Sequence, residues 1–356
     1  MKKIISVALL LSVLLTLLAS CEQILPTEQN KPQSGKTQSV TWYEYFGTVS
    51  VVQSFGGDSE ESFAATSAKV KALLEEYHKL YDIYHTYTDI NNIKTINDNA
   101  GIAPVEVDRR IIDMLKFSVE MYELTGGEVN VMMGAVLRLW HDAREGNGDG
   151  TYSLPEDSAL IEASLHTSIS SLVIDEKNGT VFITDPNASL DVGAIAKGYA
   201  TDKIADEIIS DKSLSSDGYV LNIGGNIKMI GSKMGEDWRI GITNPDKTSN
   251  KKYATMISAS DTSIVTSGDY ERYFVVDGQS YHHIIDKDTL YPAKNYHSIT
   301  IVTKSSALAD ALSTALFSMD KNEGYNFIAN LDGVEAYWIS ATGNPVASKG
   351  FPEIKE

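Results

Sequence analysis

The sequence predicts an α+β fold of mixed and antiparallel sheets with packed helices. Short turn signals, Asn178-Gly179, Asp277-Gly278 and Gly343-Asn344, sit between apolar runs as they do in β-hairpins. Other segments repeat their apolar residues at helical spacing. The two kinds are interleaved with no internal repeat and no strict strand–helix alternation, which disfavours a doubly wound parallel sheet.

In chain order, Met1-Lys2-Lys3 and the apolar run 4–18 have the make-up of a secretory leader. The run is too short for a bilayer span, which takes about 20 residues. It ends in Leu18-Ala19-Ser20-Cys21, small residues before a thiol, as in a bacterial lipobox. Cys21 is the only cysteine, which excludes a disulfide framework and cysteine-based metal clusters and marks it as a lipid attachment point. Residues 1–20 are then a leader, 21–39 a flexible tether rich in Gln, Pro, Thr, Ser and Lys, and 40–350 the folded unit.

Val40 to Phe55 is β-rich, and Asp58 with Glu61 resembles a capping box before a long helix whose apolar side is Phe63, Val70, Leu73, Leu74, Tyr77, Leu80 and Tyr84. A second helix starts at Arg109 after Asp108, carries Ile112, Leu115, Val119 and Tyr122, and stops at Gly126-Gly127. Hairpins follow at 171–184, 272–285 and 334–346, and a strand, Gly224-Gly225, strand unit at 219–230. Two more helices are expected at 194–209 and 306–319.

Composition narrows the function. The 356 residues carry 30 Lys and Arg against 48 Asp and Glu, a formal charge of −18. Such a chain has no general electrostatic grip on nucleic acid or on anionic lipid, so any anion it binds must be met by local devices.

Four segments could supply them. In Leu190-Asp191-Val192-Gly193-Ala194-Ile195-Ala196-Lys197-Gly198, small residues feed a helix whose free N–H groups could meet a phosphate with Lys197 nearby. A tight strand-to-helix connection with a surface lysine reads the same way. Asn222-Ile223-Gly224-Gly225-Asn226 is either a ligand-approach turn or a plain hairpin turn. His282 and His283 point to opposite faces of a strand, and one of them suits a general base or orienting role better than zinc, because no HExxH motif accompanies them. Asp310 and Thr314 share a helix face and offer oxygen-only ligation of the kind Mg²⁺ takes; an Asp near the N-terminus of a helix is also favoured by the helix dipole alone.

Together and in this order, these segments resemble the ApbE family of flavin transferases. The matching blocks are Gly47-Thr48-Val49, Thr86-Tyr87 with Asn97, Leu190-Asp191-x-Gly193-x-x-x-Lys197-Gly198, Asn222-x-Gly224-Gly225-Asn226, Thr266-Ser267-Gly268-Asp269-Tyr270-x-Arg272, His282-His283-x-x-Asp286 and Asp310-x-x-x-Thr314. The resemblance spans about Tyr45 to Met319 and implies a T-fold-related α+β unit.

It further implies Mg²⁺-dependent transfer of FMN from FAD to a Thr or Ser hydroxyl of an acceptor protein, releasing AMP. In that scheme His283 is catalytic, Asp310 and Thr314 hold Mg²⁺ with a carbonyl of the Gly193-Ala194 turn (Ala194 is the expected one), and Tyr87 stacks on adenine. Asn97, Asp191, Lys197, Gly224, Gly225, Asp269, His282 and Asp286 complete the expected FAD contacts. The acceptor is expected to be a membrane redox protein, and the enzyme to be lipid-anchored on the extracytoplasmic side of a bacterial envelope. Two alternatives fit the same residues: an FAD pyrophosphatase giving FMN and AMP, and a flavin-binding lipoprotein without catalysis. The chain departs from the family in Asp286-Lys287-Asp288-Thr289-Leu290, where Asp-Pro-x-Thr-Gly is usual, and in Val129-Asn130-Val131-Met132, where Phe-Asp-x-Thr is usual.

Overall fold

The computed structural model describes residues 37–352 apart from 57, 147, 149 and 212–217. The leader, Cys21 and all but the last three residues of the expected tether lie outside the described residues. Strands β1 (Gln38–Trp42) and β2 (Ser50–Phe55) lead into helix α1 (Glu60–Tyr81). Then come α2 (Ile93–Asp98), β3 (Val105–Glu106), α3 (Arg109–Leu124), α4 (Gly134–Glu145), α5 (Asp157–Ser164), β4 (Leu172–Asp175) and β5 (Thr180–Ile183). The second half holds α6 (Ala196–Ser210), β6 (Gly218–Ile223), β7 (Asn226–Gly231), β8 (Trp238–Thr243), β9 (Tyr253–Ala259) and β10 (Ser263–Gly268). It ends with β11 (Tyr273–Val276), β12 (Gln279–His282), β13 (Tyr296–Thr303), α7 (Ser306–Ser318), α8 (Lys321–Ala329), β14 (Glu335–Ser340) and β15 (Pro345–Ala347).

Eight strands form one sheet in the order β1-β2-β6-β7-β10-β13-β14-β15, with every neighbouring pair antiparallel. Because side chains alternate along a strand, each central strand serves two cores. Leu221, Val265, Ile299, Ile301 and Trp338 join the core that contains residues of α1, α6 and α7. Val220, Ile264, Val302, Tyr337 and Ile339 pack against Trp238, Ile240 and Ile257 of the β8–β9 hairpin. The architecture is α+β, as the turn signals predict.

Two local readings are corrected. The N-cap of α1 is Ser59, whose Oγ accepts from the Ser62 N–H, and not Asp58 with Glu61. The helix also stops at Tyr81, because Asp82 turns extended and accepts from the Tyr84 and His85 amides with its own carboxylate. Tyr84 therefore sits in a loop, 52% exposed, rather than on the buried helix face.

Candidate active site

Helices α6 and α7 meet where only a glycine fits. A Cβ on Gly198 would lie 2.4 Å from the Ser306 carbonyl oxygen and 2.6 Å from Asp310 Cβ. Asp202 of α6 locks this crossing by accepting from the Ser306 and Ala307 amides of α7, both at 2.9 Å, and from Lys228 at 3.0 Å. Free N–H groups in a helix's first turn need such an acceptor.

The crossing puts Asp310, only 4% exposed, against the start of α6. Its carboxylate accepts from the Gly198 N–H at 2.8 Å, from Lys197 Nζ at 3.3 Å and from Asn226 Nδ2 at 3.4 Å. Lys197 Nζ also lies 3.5 Å from the Gly193 carbonyl oxygen, and Thr314 Oγ1 donates to the Asp310 carbonyl at 3.3 Å. An ammonium thus sits among a carboxylate and a turn carbonyl, with a hydroxyl one helical turn away. That donor set fits Mg²⁺, a hard cation that prefers oxygen and keeps several waters. Among the described residues no three His, Cys, Asp or Glu side chains converge, so a softer metal has no cluster to bind. The turn oxygen that faces this cage is that of Gly193, the neighbour of the expected Ala194.

The turn at 190–193 is held from three sides. The Asn97 amide donates to the Leu190 carbonyl at 2.9 Å and accepts from its N–H at 2.7 Å. The Asp191 N–H donates to the Val131 carbonyl, and Asp191 Oδ1 accepts from the Gly193 N–H at 2.8 Å. Asn97 thereby positions the turn with both ends of its amide. Burial raises the Asp191 pKa. Gly224 and Gly225, both at positive φ, form the two-residue turn between β6 and β7. Gly224 leaves no room for a side chain against Thr48, and the turn delivers Asn226 to Asp310.

The two histidines separate cleanly. His282 is buried, accepts from the Ile284 N–H at Nδ1 and donates from Nε2 to the Ala293 carbonyl at 2.7 Å. With both ring nitrogens used inside the protein, it supports the loop and is removed from the set of ligand contacts. His283 Nδ1 is buried without any partner. Burial first, then the charges of Arg272, His282, Lys197 and Arg144, push the His283 pKa down to about 3. A buried neutral imidazole whose nitrogen has no partner, under the influence of nearby positive charge, marks a candidate functional position.

The remaining expected contacts each have a local structural partner. Tyr87 Oη donates to Asp82 at 2.7 Å, leaving only its half-buried ring face for stacking. Asp269 pairs with His297 at 2.7 Å. Asp286 Oδ1 accepts from the Asp288 and Thr289 amides and closes its own turn. In that turn Leu290 adopts φ +60°, so a leucine takes the left-handed position where the family has glycine, and Trp140 Nε1 donates to its carbonyl. Asn130 donates to the Thr167 carbonyl and accepts from the Met132 N–H, which a carboxylate could not do at both ends. A separate hollow of about 490 Å³, lined by Tyr122, Asn130, Met133, Thr167, Lys287 and Leu290 among others, shares the Leu290 turn but includes neither Asp310 nor His283.

Asn226, Asp202 and Arg144 were not singled out as site residues by local pattern. Asn226 stood inside a quoted motif, whereas Arg144 belongs to α4, a helix the periodicity did not reveal.

Comparison with known proteins agrees with the geometry. The ApbE family model matches residues 45–338. The chain is 33% identical over 304 residues to an FAD:protein FMN transferase of Treponema pallidum, covering 80% of this chain and 82% of that protein. Its structure is similar to an ApbE protein of Thermotoga maritima (TM-score 0.77, 28% identity, 88% of this chain and 97% of that one). It is also similar to the flavin transferase ApbE of Vibrio cholerae (TM-score 0.75, 25% identity, 90% of this chain and 100% of that one). The chain therefore belongs to the ApbE family.

Proposed function

We propose that the chain is an FAD:protein FMN transferase that moves FMN from FAD onto a Thr or Ser hydroxyl of an acceptor protein, with AMP leaving. The observation that carries this reading is the Asp310 oxygen cage with Lys197 at 3.3 Å, together with a buried His283 nitrogen that has no partner. Relatives that bear the name FAD:protein FMN transferase support it.

The cations receive the pyrophosphate charge. Gly198 N–H and Asn226 keep Asp310 in place, and the Asn97 clamp keeps the 190–193 turn in place. The His283 imidazole accepts the proton of the attacking hydroxyl and releases it after transfer. The bond from the hydroxyl oxygen to the FMN phosphorus forms as the anhydride bond to AMP breaks, leaving a phosphodiester. Asp310 and Thr314, with a carbonyl of the 193–194 turn, would hold Mg²⁺, which when bound would supply charge neutralisation at the pyrophosphate. Cys21 carries the lipid that tethers the enzyme on the extracytoplasmic side, facing membrane redox proteins as acceptors.

Incubation with FAD, Mg²⁺ and a candidate acceptor, read by intact mass and AMP release, tests this. FMN mass on the acceptor with equimolar AMP supports transfer. AMP with free FMN indicates water as the nucleophile, and neither product indicates a binder.

A further inference from the structure

Asp58 does not cap α1, because Ser59 takes that place. Its side chain is buried, with 9% of the residue exposed, and neither carboxylate oxygen has a hydrogen-bond partner. A buried charge is stable only where a counter-charge or a metal ion meets it.

The acid faces a set of hydroxyls between α1 and the β2–β6 pair. Thr66, one turn after Ser62 along α1, donates from Oγ1 to the Ser62 carbonyl at 3.2 Å. Tyr219 Oη lies 3.1 Å from that same Oγ1. Thr66 has one proton and has spent it, so Tyr219 is the donor of this pair. Tyr219 stands opposite Ser54 in the β2–β6 ladder, which puts both side chains on one face. Burial first, and then Asp58, hold the Tyr219 pKa up at about 12 against the opposing effect of Thr66. The Asp58 carboxylate therefore lies beside the Tyr219 hydroxyl, although the two do not hydrogen-bond. Ser54 Oγ and Ser62 Oγ are buried without partners as well. The Gln38 amide donates to the Asp58 carbonyl at 3.1 Å and anchors the backbone that carries the acid.

With the Thr66 and Tyr219 protons committed, these oxygens offer lone pairs and no donor to the acid. Oxygen-only donors suit a hard cation. One carboxylate among neutral hydroxyls is balanced by a single positive charge, whereas a bridging water leaves that charge uncompensated. We propose that Asp58, Ser54, Ser62, Thr66 and Tyr219 bind a monovalent alkali cation, Na⁺ or K⁺, at a site separate from the Asp310 centre. The cation ties α1 to one end of the β2–β6 pair. The other end of that pair sets Gly224 against Thr48 and Asn226 against Asp310.

Thermal melts of the purified protein in EDTA, with choline chloride exchanged for NaCl or KCl at constant ionic strength, test the site. The wild-type melting temperature should rise by about 2–4 °C with Na⁺ or K⁺ and then saturate, as for a ligand that binds only the folded state. Asp58→Asn should lose this rise, yet melt in choline chloride at least as high as wild type, because no uncompensated charge stays buried. Ser54→Ala should move the midpoint of the rise to higher salt. Asp310→Asn should keep the rise, which separates this cation from Mg²⁺. A wild-type melting temperature indifferent to the choice of cation overturns the site, and so does a rise that persists in Asp58→Asn.

Discussion

Lys197 Nζ lies 3.3 Å from each carboxylate oxygen of Asp310, across 113 residues of sequence. The pair joins the start of α6 to the first half of α7, and every other part of the site is built around it. Both side chains are largely shielded, with 20% and 5% of their surfaces exposed. Removing one partner of such a pair costs far more than removing an exposed ion pair. Asp310→Asn should therefore abolish Mg²⁺-dependent turnover by at least 100-fold and lower the melting temperature, both measurable on purified protein. Full turnover at saturating Mg²⁺ in this variant would show that the carboxylate is not a metal ligand.

Gly198 tests the crossing itself. Gly198→Ala places a methyl 2.4 Å from the Ser306 carbonyl oxygen, and neither backbone can yield without opening the Asp202 cap. Overpacking of this kind costs about 1–3 kcal/mol. Urea unfolding should show a loss in that range, with turnover reduced at unchanged acceptor concentration.

His283 gives the ligand-free protein a pH signature. Its folded pKa is depressed to about 3 against an ordinary value of 6.5. The folded state disfavours the proton, so this contribution to stability is complete above about pH 6.5 and is lost as pH falls towards 3. His282 and His78 are depressed by burial in the same direction. Replacing His283 with Gln should flatten the decline between pH 6.5 and 3 in thermal melts and remove transfer activity. An unchanged melting profile would contradict the depressed pKa.

Asn130 explains one family departure. With its amide donating to the Thr167 carbonyl, Asn130→Asp would set a carboxylate against that oxygen. The loss should be about 1–3 kcal/mol at neutral pH, the range for an unsatisfied buried polar group. It should shrink as pH falls, because a protonated acid donates again and its folded pKa is raised. Denaturation at pH 7 and pH 4.5 measures the difference.

Much of the fold was legible where the chain makes tight turns. Asn178-Gly179, Asp277-Gly278 and Gly224-Gly225 each lie between the paired strands they announce. Strand β13 was not legible, because Ile299 and Ile301 feed one core and Val302 the other, so no polar alternation survives. The β8–β9 hairpin turns through residues 244–252 and lacks a two-residue signal. Tyr84 was misplaced because its spacing continues the helix while the Asp82 carboxylate captures the next two amides and ends it. Neither the Lys197–Asp310 pair nor the choice between His282 and His283 follows from local pattern. The pairing needs the α6–α7 crossing, and the choice needs the Ala293 carbonyl that occupies His282.

The central claim is that this site hands FMN to a protein hydroxyl. Intact-mass measurement of a Thr-bearing acceptor after incubation with FAD, Mg²⁺ and the enzyme tests it most directly. The account predicts one added FMN per acceptor with one AMP released, lost in Asp310→Asn and in His283→Gln. An unmodified acceptor with FAD split to free FMN and AMP would contradict it.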